Sequence, residues 1–199
     1  MKRTVTLFTI IISLVFVSNL YAAESVSISL EQPKNISRAA CPVPLWNDEK
    51  IVWDGVKDMR ESAEIGLQTK KGKEPIDILA DPLLTEVMDK ALQNFLKTCG
   101  LNLVKDNTSP HLSAKIVDFY AGVNKKILTG STTAKSVITL TKKIGYGTSD
   151  ITMNCEIESK GMRSGKLKKI TETLNNLLLE TLVTIANTQP IIDMMKEKK

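Results

Sequence analysis

The sequence predicts an α+β two-layer sandwich, a mostly antiparallel sheet with two long helices packed on one face. Three observations predict it. Two long stretches, after Asp81 and after Lys166, repeat apolar residues with helical spacing. Between them, several stretches alternate apolar and polar side chains, as strands with one wet face do. Helices and strands are also grouped along the chain, with the strands gathered between the two helices.

The elements follow in order. Val26-Ser27-Ile28-Ser29-Leu30 alternates and reads as a short edge strand or extended arm. Ile51 to Met59 is β-rich and is expected to form the first central strand, and Glu61 to Pro75, with Gly66 and Gly72, reads as a loop. Asp81 suits an N-cap and Pro82 the first helical position, where a missing N–H costs nothing. Leu83, Leu84, Val87, Met88, Ala91, Leu92, Phe95, Leu96 and Cys99 then mark one helical face, and Gly100 supplies the residue that turns left-handed at its end. Burying those side chains contributes on the order of 15–25 kcal/mol gross. Ordering the backbone costs at least as much. The helix therefore needs a sheet beneath it.

Leu101 to Val104 is short and β-prone. In His111 to Val123 the apolar phase changes near Ile116-Val117, which predicts a bulge. Thr132 to Lys142 alternates through Ala134, Ile138 and Leu140, and Ile151 to Lys160 through Ile151, Met153, Cys155 and Ile157. Gly145-Tyr146-Gly147 and the Gly161–Gly165 stretch supply turns. The second helix spans Lys166 to Asn187, with Leu167, Ile170, Leu174, Leu177, Leu178, Leu182 and Ile185 inward. Leu179 and Val183 fall off that stripe. A closing helix from Pro190, carrying Ile191, Ile192, Met194 and Met195, is expected to cover them, and a subunit contact in a homo-oligomer is the sharper alternative.

The start of the chain reads as a secretory signal. Lys2 and Arg3 precede an apolar run from Val5 to Val17, and small residues follow, with a cut after Ala22. The run is shorter than the roughly 20 residues a membrane helix needs. The expected organisation is a signal peptide at 1–22, an extended N-terminal arm with a short edge strand at 23–50, and a single α+β domain at 51–199. Without residues 1–22 the chain keeps 25 basic and 22 acidic residues, a mild surplus of +3. The Lys196-Glu197-Lys198-Lys199 tail reads as a solvated end.

Export permits disulfides, and there are three cysteines. Cys155 sits on an apolar strand face, which leaves Cys41 and Cys99 as the pair; three free buried thiols is the other reading. The lone His111, at a strand start, cannot make a metal cluster by itself. No nucleophile elbow or phosphate-binding glycine loop occurs. Nine aromatics, not interleaved with lysines, give no stacking platform for nucleic acid. No catalytic residue, metal or cofactor is expected. Trp46 and Trp53 flank a polar turn. They read either as contact residues, together with Leu179 and Val183, or as rings closing the edge of the core, the blander and favoured reading.

Four passages carry a family likeness: Ser27-Ile28-Ser29-Leu30-Glu31-Gln32-Pro33; Val56-Lys57-Asp58-Met59-Arg60 followed by Ile65-Gly66; Asp81 to Leu103; and Asp118-Phe119-Tyr120-Ala121-Gly122-Val123. In these the chain resembles the YajG-like family of uncharacterised bacterial envelope lipoproteins, with its short leading strand, its Asp-x-Arg strand and loop, and its first helix. That pattern carries a lipid-modified cysteine after the signal, and this chain has none there. The resemblance implies the cell envelope, and the residues imply the periplasm after cleavage, with outer-membrane association left open. It implies no activity.

The expected function is thus a non-enzymatic periplasmic or cell-envelope accessory protein that binds a protein or envelope component. A lipid or lipopolysaccharide transport or assembly accessory is the alternative. A hydrolase using carboxylates such as Asp58 or Asp118 is the remote one.

Overall fold

A computed structural model describes residues 25–32, 41, 46, 48–69, 74–106, 108–125, 130–161 and 166–196. The expected signal segment, most of the 33–45 lead-in and the end of the basic tail lie outside these residues. Eight strands form one curled sheet: β1 (Ser25–Ile28), β2 (Lys50–Asp58), β3 (Gly66–Gln68), β4 (Ile76–Ala80), β5 (Asn102–Val104), β6 (His111–Lys125), β7 (Gly130–Ile144) and β8 (Gly147–Gly161). Three helices accompany it: α1 (Leu84–Thr98), α2 (Leu167–Asn187) and α3 (Gln189–Lys196). The fold is mixed α+β. Among the described residues, no helix is long and apolar enough to cross a membrane.

The sheet is mixed, which corrects the expectation of a mostly antiparallel one. β6, β7 and β8 form an antiparallel meander, and β3 runs antiparallel to β4. β1 pairs in parallel with β4, β2 with both β5 and β6, and β3 with β6 at Gly66 and Ala121. Alternation records which side of a strand is wet and says nothing about the direction of its neighbour. The parallel pairs need a long crossover, and the segment carrying α1 supplies it between β2 and β5. The stretch expected to be a loop, Glu61 to Pro75, contributes β3, and the alternating Ile76 and Ile78 lie in a further strand, β4, beyond those the sequence predicts.

Bulges sit at two places. One falls between Ile116 and Asp118, where the apolar phase changes. The other falls between Trp53 and Val56, where Gly55 takes φ +90°, a conformation open to glycine. Gly66 is constrained differently. A Cβ there would lie 3.1 Å from the Ala121 carbonyl oxygen, which is fixed in the β3–β6 contact. Gly66→Ala is therefore expected to cost about 1–3 kcal/mol in urea unfolding, as overpacking against backbone does.

Helix α1 begins at Leu84, so Asp81 and Pro82 do not cap and start it. The Asp81 N–H instead donates to the Ile28 carbonyl at 2.9 Å, extending the β1–β4 ladder, and no side chain caps the helix. Its inner face, including Val87, Met88, Leu92, Phe95 and Leu96, is buried, and it packs against β2 and β5. Helix α2 buries Ile170, Leu174, Leu177, Leu178, Leu182 and Ile185 at three- and four-residue spacing against β8, β7 and β6. The Thr181 hydroxyl bonds its own helix at the Leu177 carbonyl, 2.8 Å away, and meets the Ser136 hydroxyl of β7 at 2.7 Å. Helix α3 packs on α2 and β8 through Ile191, Met194 and Met195.

One strand residue breaks the apolar rule. Lys142 on β7 is only 2% exposed, and its ammonium donates to the Met194 and Met195 carbonyls of α3 at 2.7 and 3.0 Å. Those carbonyls lie in the last turn of a helix, where the backbone carries negative partial charge and lacks intrahelical donors. The aliphatic stem fills the core position that alternation demands, and the charge fastens the closing helix.

Candidate functional site

The residues singled out in the sequence divide between core and surface. Cys41 and Cys99 are both buried and joined by a disulfide with Cα atoms 5.4 Å apart. Trp46 is 1% exposed, its ring edge-on to Phe95 at 6.5 Å, so it is a core residue and not a contact residue. The reason is local: Asp48 N–H donates to the Gly100 carbonyl, and with the disulfide this draws the lead-in onto the end of α1. Trp53 is half-buried, and its indole N–H donates to Asp89 on α1 at 2.7 Å. Leu179 remains exposed on α2, and Val183 packs against the core. The two tryptophans attach to α1 and the two aliphatic residues belong to α2, so these residues do not form one site. Cys155 is a buried thiol whose pKa is raised by burial.

A different constellation stands out at the end of β2. Asp58 closes that strand, and the chain turns at Met59 and Arg60. The Arg60 guanidinium grips Asp58 with two hydrogen bonds, Nε to Oδ1 at 2.9 Å and Nη2 to Oδ2 at 2.7 Å. Its remaining nitrogen donates to the Glu64 carbonyl at 2.9 Å and reaches the Phe119 carbonyl of β6 at 3.4 Å. The planar fork suits this paired geometry, which a lysine could not reproduce. The guanidinium is buried, with 8% side-chain exposure. Partial burial pushes the Asp58 pKa upward, but the Arg60 hydrogen bonds and charge outweigh it and hold the carboxyl below its ordinary value.

This hub separates two hollows. The larger, of about 640 Å³, runs between Arg60, the end of β4 and the start of α1, with Pro82, Leu83 and Leu84 on its wall. The smaller, of about 480 Å³, lies between the 59–64 turn and the bulged part of β6, Val117 to Tyr120. Arg60 lines both. Four large apolar residues stand exposed around them: Met59 at 59%, Leu83 at 64%, and Val117 and Tyr120. The β6 bulge makes this possible, because the extra residue turns Val117 out of the core. Burial, then the charges of Asp77 and Glu64, push the Tyr120 phenol pKa up.

Only fragments of this site are legible in sequence. Asp58, Arg60 and the Asp118–Val123 passage belong to the family likeness, and the phase change at Ile116-Val117 marks the bulge that exposes Val117, but the exposure of Met59 and Leu83 has no sequence signal. Leu83 follows the helical period and yet precedes the helix.

Arg60→Ala is expected to cost about 2–3 kcal/mol, because it leaves Asp58 and two carbonyls without their donor. The pH dependence has a definite sign. A carboxyl whose pKa is lowered by folding stabilises the fold above its unfolded value, and that stabilisation disappears as pH falls through the lowered one. Urea titrations of the native chain and Asp58→Asn should therefore differ at pH 7 and converge in strong acid.

As to chemistry, the carboxylates named for a hydrolase are engaged elsewhere. Asp58 is held by Arg60, and Asp118 lies 3.7 Å from Lys135. His111 pairs with Asp54 at 2.9 Å. Among the described residues, no three His, Cys, Asp or Glu side chains gather where they could share a metal ion.

Residues 51–196 match the family described as uncharacterized lipoprotein. The chain belongs to that family. It is the YajG family whose passages the sequence resembles. No curated protein matches the sequence. Among solved structures, a Xanthomonas campestris protein of family DUF330 is similar, with TM-score 0.57 and 9% identity over 85% of this chain and 97% of that one. This likeness concerns the fold. A hypothetical protein from Chlamydia trachomatis has TM-score 0.41 and 11% identity, covering 70% of this chain and 96% of its own. Lipoprotein GNA1162 from Neisseria meningitidis has TM-score 0.35 and 10% identity, covering 70% and 99%. Family membership places the chain among lipoproteins whose activity is uncharacterised.

Proposed function

We propose that this protein is a non-enzymatic accessory of the cell envelope, exported to the periplasm, that binds another protein or an envelope component through the double groove around Arg60. The observation that carries the reading is the gathering of Met59, Leu83, Val117 and Tyr120 around two adjoining hollows. Single exposed apolar residues are ordinary, whereas several beside a concave surface mark a contact site. The hub beneath them supports the reading too. Arg60 ties the turn to β2 and β6, so the binding surface is preorganised and little ordering cost falls on association.

We read the two long helices as lying on one face of the curled sheet. Paired β6–β7 positions that face inward include Leu112 with Lys142 and Phe119 with Ser136. Lys142 bonds α3, Ser136 bonds α2, and Trp53, which is in register with Leu112, bonds α1. The first turn of α1 forms one wall of the larger hollow, and among the described residues the smaller is lined by the 59–64 turn and β6.

The test is photocrosslinking in cells, with a photoreactive residue at Met59 or Leu83 and, as a control, at the fully exposed Tyr146 of the β7–β8 turn. Adducts specific to the groove positions are expected, in the periplasmic or envelope fraction. Equal labelling at all three, or none at either groove position, would sink the reading. A lipid adduct in place of a protein one would turn it into a lipid-handling accessory.

A further inference from the structure

We infer that the occupant of the double groove is a basic, amphipathic segment of another protein, one that presents lysine or arginine beside apolar side chains. The inference rests on the binding reading above and adds the chemistry of the partner. Two features of the same surface select it. The first is the apolar rim already described, with Met59 and Leu83 the most exposed of its members. The second is charge. Among the described residues, Asp58, Asp81 and Glu86 line the larger hollow, and Glu61, Glu64 and Asp118 the smaller, against the Arg60 guanidinium. Yet the exported chain, without residues 1–22, carries 25 basic and 22 acidic residues, a surplus of +3. The groove is thus a negative region on a positive molecule.

Pairing inside the surface does not remove that charge. Arg60 is matched by Asp58, and Lys135 lies near Asp118 from outside the lining. Glu61, Glu64, Asp81 and Glu86 add four negative charges to these two pairs. A surface of this kind attracts cationic partners from a distance and repels anionic ones, with the effect screened by salt. An anionic lipid headgroup meets the wrong sign here, since membrane surfaces are bound by lysine and arginine clusters. An acidic peptide meets it too. A purely hydrophilic polycation would leave the rim residues unfilled. The partner that satisfies both features alternates positive and apolar side chains.

The experiment uses the full exported chain and three probes. These are a fluorescent peptide of alternating lysine and leucine pairs, the same peptide with glutamate for lysine, and vesicles containing phosphatidylglycerol. Binding of the lysine peptide about tenfold tighter than the glutamate peptide is expected, weakening as salt is raised. Glu61→Lys with Glu86→Lys should remove most of that preference. Both positions are exposed, and retained far-UV circular dichroism and melting temperature would show that the fold persists. Met59→Ser with Leu83→Ser should weaken the lysine peptide by a similar factor while leaving its salt dependence.

Equal binding of both peptides, weakened by the serine variant, would overturn the charge inference and leave groove binding intact. Failure of the lysine peptide to bind would overturn it as well. The crosslinking experiment would then decide the broader reading separately. Preference for vesicles, or self-association of the chain abolished by the groove variants, would assign the site to lipid or to a second copy and overturn the inference.

Discussion

Replacing Cys41 and Cys99 by serine is expected to lower the stability of the protein by about 4 kcal/mol. The bond closes a loop with a sequence separation of 58 residues. Removing such a crosslink returns chain entropy to the unfolded ensemble, and for a loop of that length the effect is about 4 kcal/mol at room temperature. Urea unfolding of the oxidised chain, the reduced chain and the double variant checks this, with the last two expected to coincide. The consequence is also local. Cys41 joins the lead-in to the end of α1, and Trp46 is packed against Phe95 just beyond it. Loss of the bond should release that ring first, so tryptophan fluorescence should shift before the far-UV signal changes. Intact mass with and without reductant reads the bond directly. Equal stability of oxidised and reduced protein would refute the account.

Lys142→Met is expected to have the next largest effect, about 3 kcal/mol. Methionine keeps most of the stem that fills the core and removes the donor to the Met194 and Met195 carbonyls. A hydrogen bond from a charged donor is worth about 1.5–3 kcal/mol, and acceptors left buried without a donor add their desolvation cost. The loss should concentrate in α3. Amide exchange in Ile191 to Met195 should accelerate strongly, while α1 keeps its protection, because α3 packs chiefly on α2 and β8. An unchanged exchange pattern would show that apolar packing by Ile191, Met194 and Met195 alone holds the helix.

Lys142 also shows where sequence reading stops. The alternation through Ala134, Ile138 and Leu140 placed its backbone on the inward face, but a lysine ending such a run reads as the first solvated residue. Nothing local says that two helix carbonyls, more than fifty residues later, wait for it. The same holds for the direction of strands. The helical stripes of α1 and α2, the meander of β6 to β8 and its bulge were legible, because each depends on a period within one segment. The parallel pairs of β1 with β4 and β2 with β5 and β6 depend on contacts between distant segments. Asp81-Pro82 failed as a helix start for a related reason: Asp81 continues the β1–β4 ladder through its bond to Ile28, and the helix begins only at Leu84. The groove was the least legible part. Its Asp58 and Arg60 belonged to a recognisable passage, but its apolar rim is assembled from a turn, a bulge and a pre-helical residue that no single pattern joins.

The short first strand has a geometric outcome. Ser27, in β1, forms part of the wall of the larger hollow, and it is held there by pairing with Leu79. Ser25 stands only two residues upstream, a reach of about 7 Å in extended chain. Anything attached at Ser25 would therefore sit beside that wall and compete with the hollow's occupant for space.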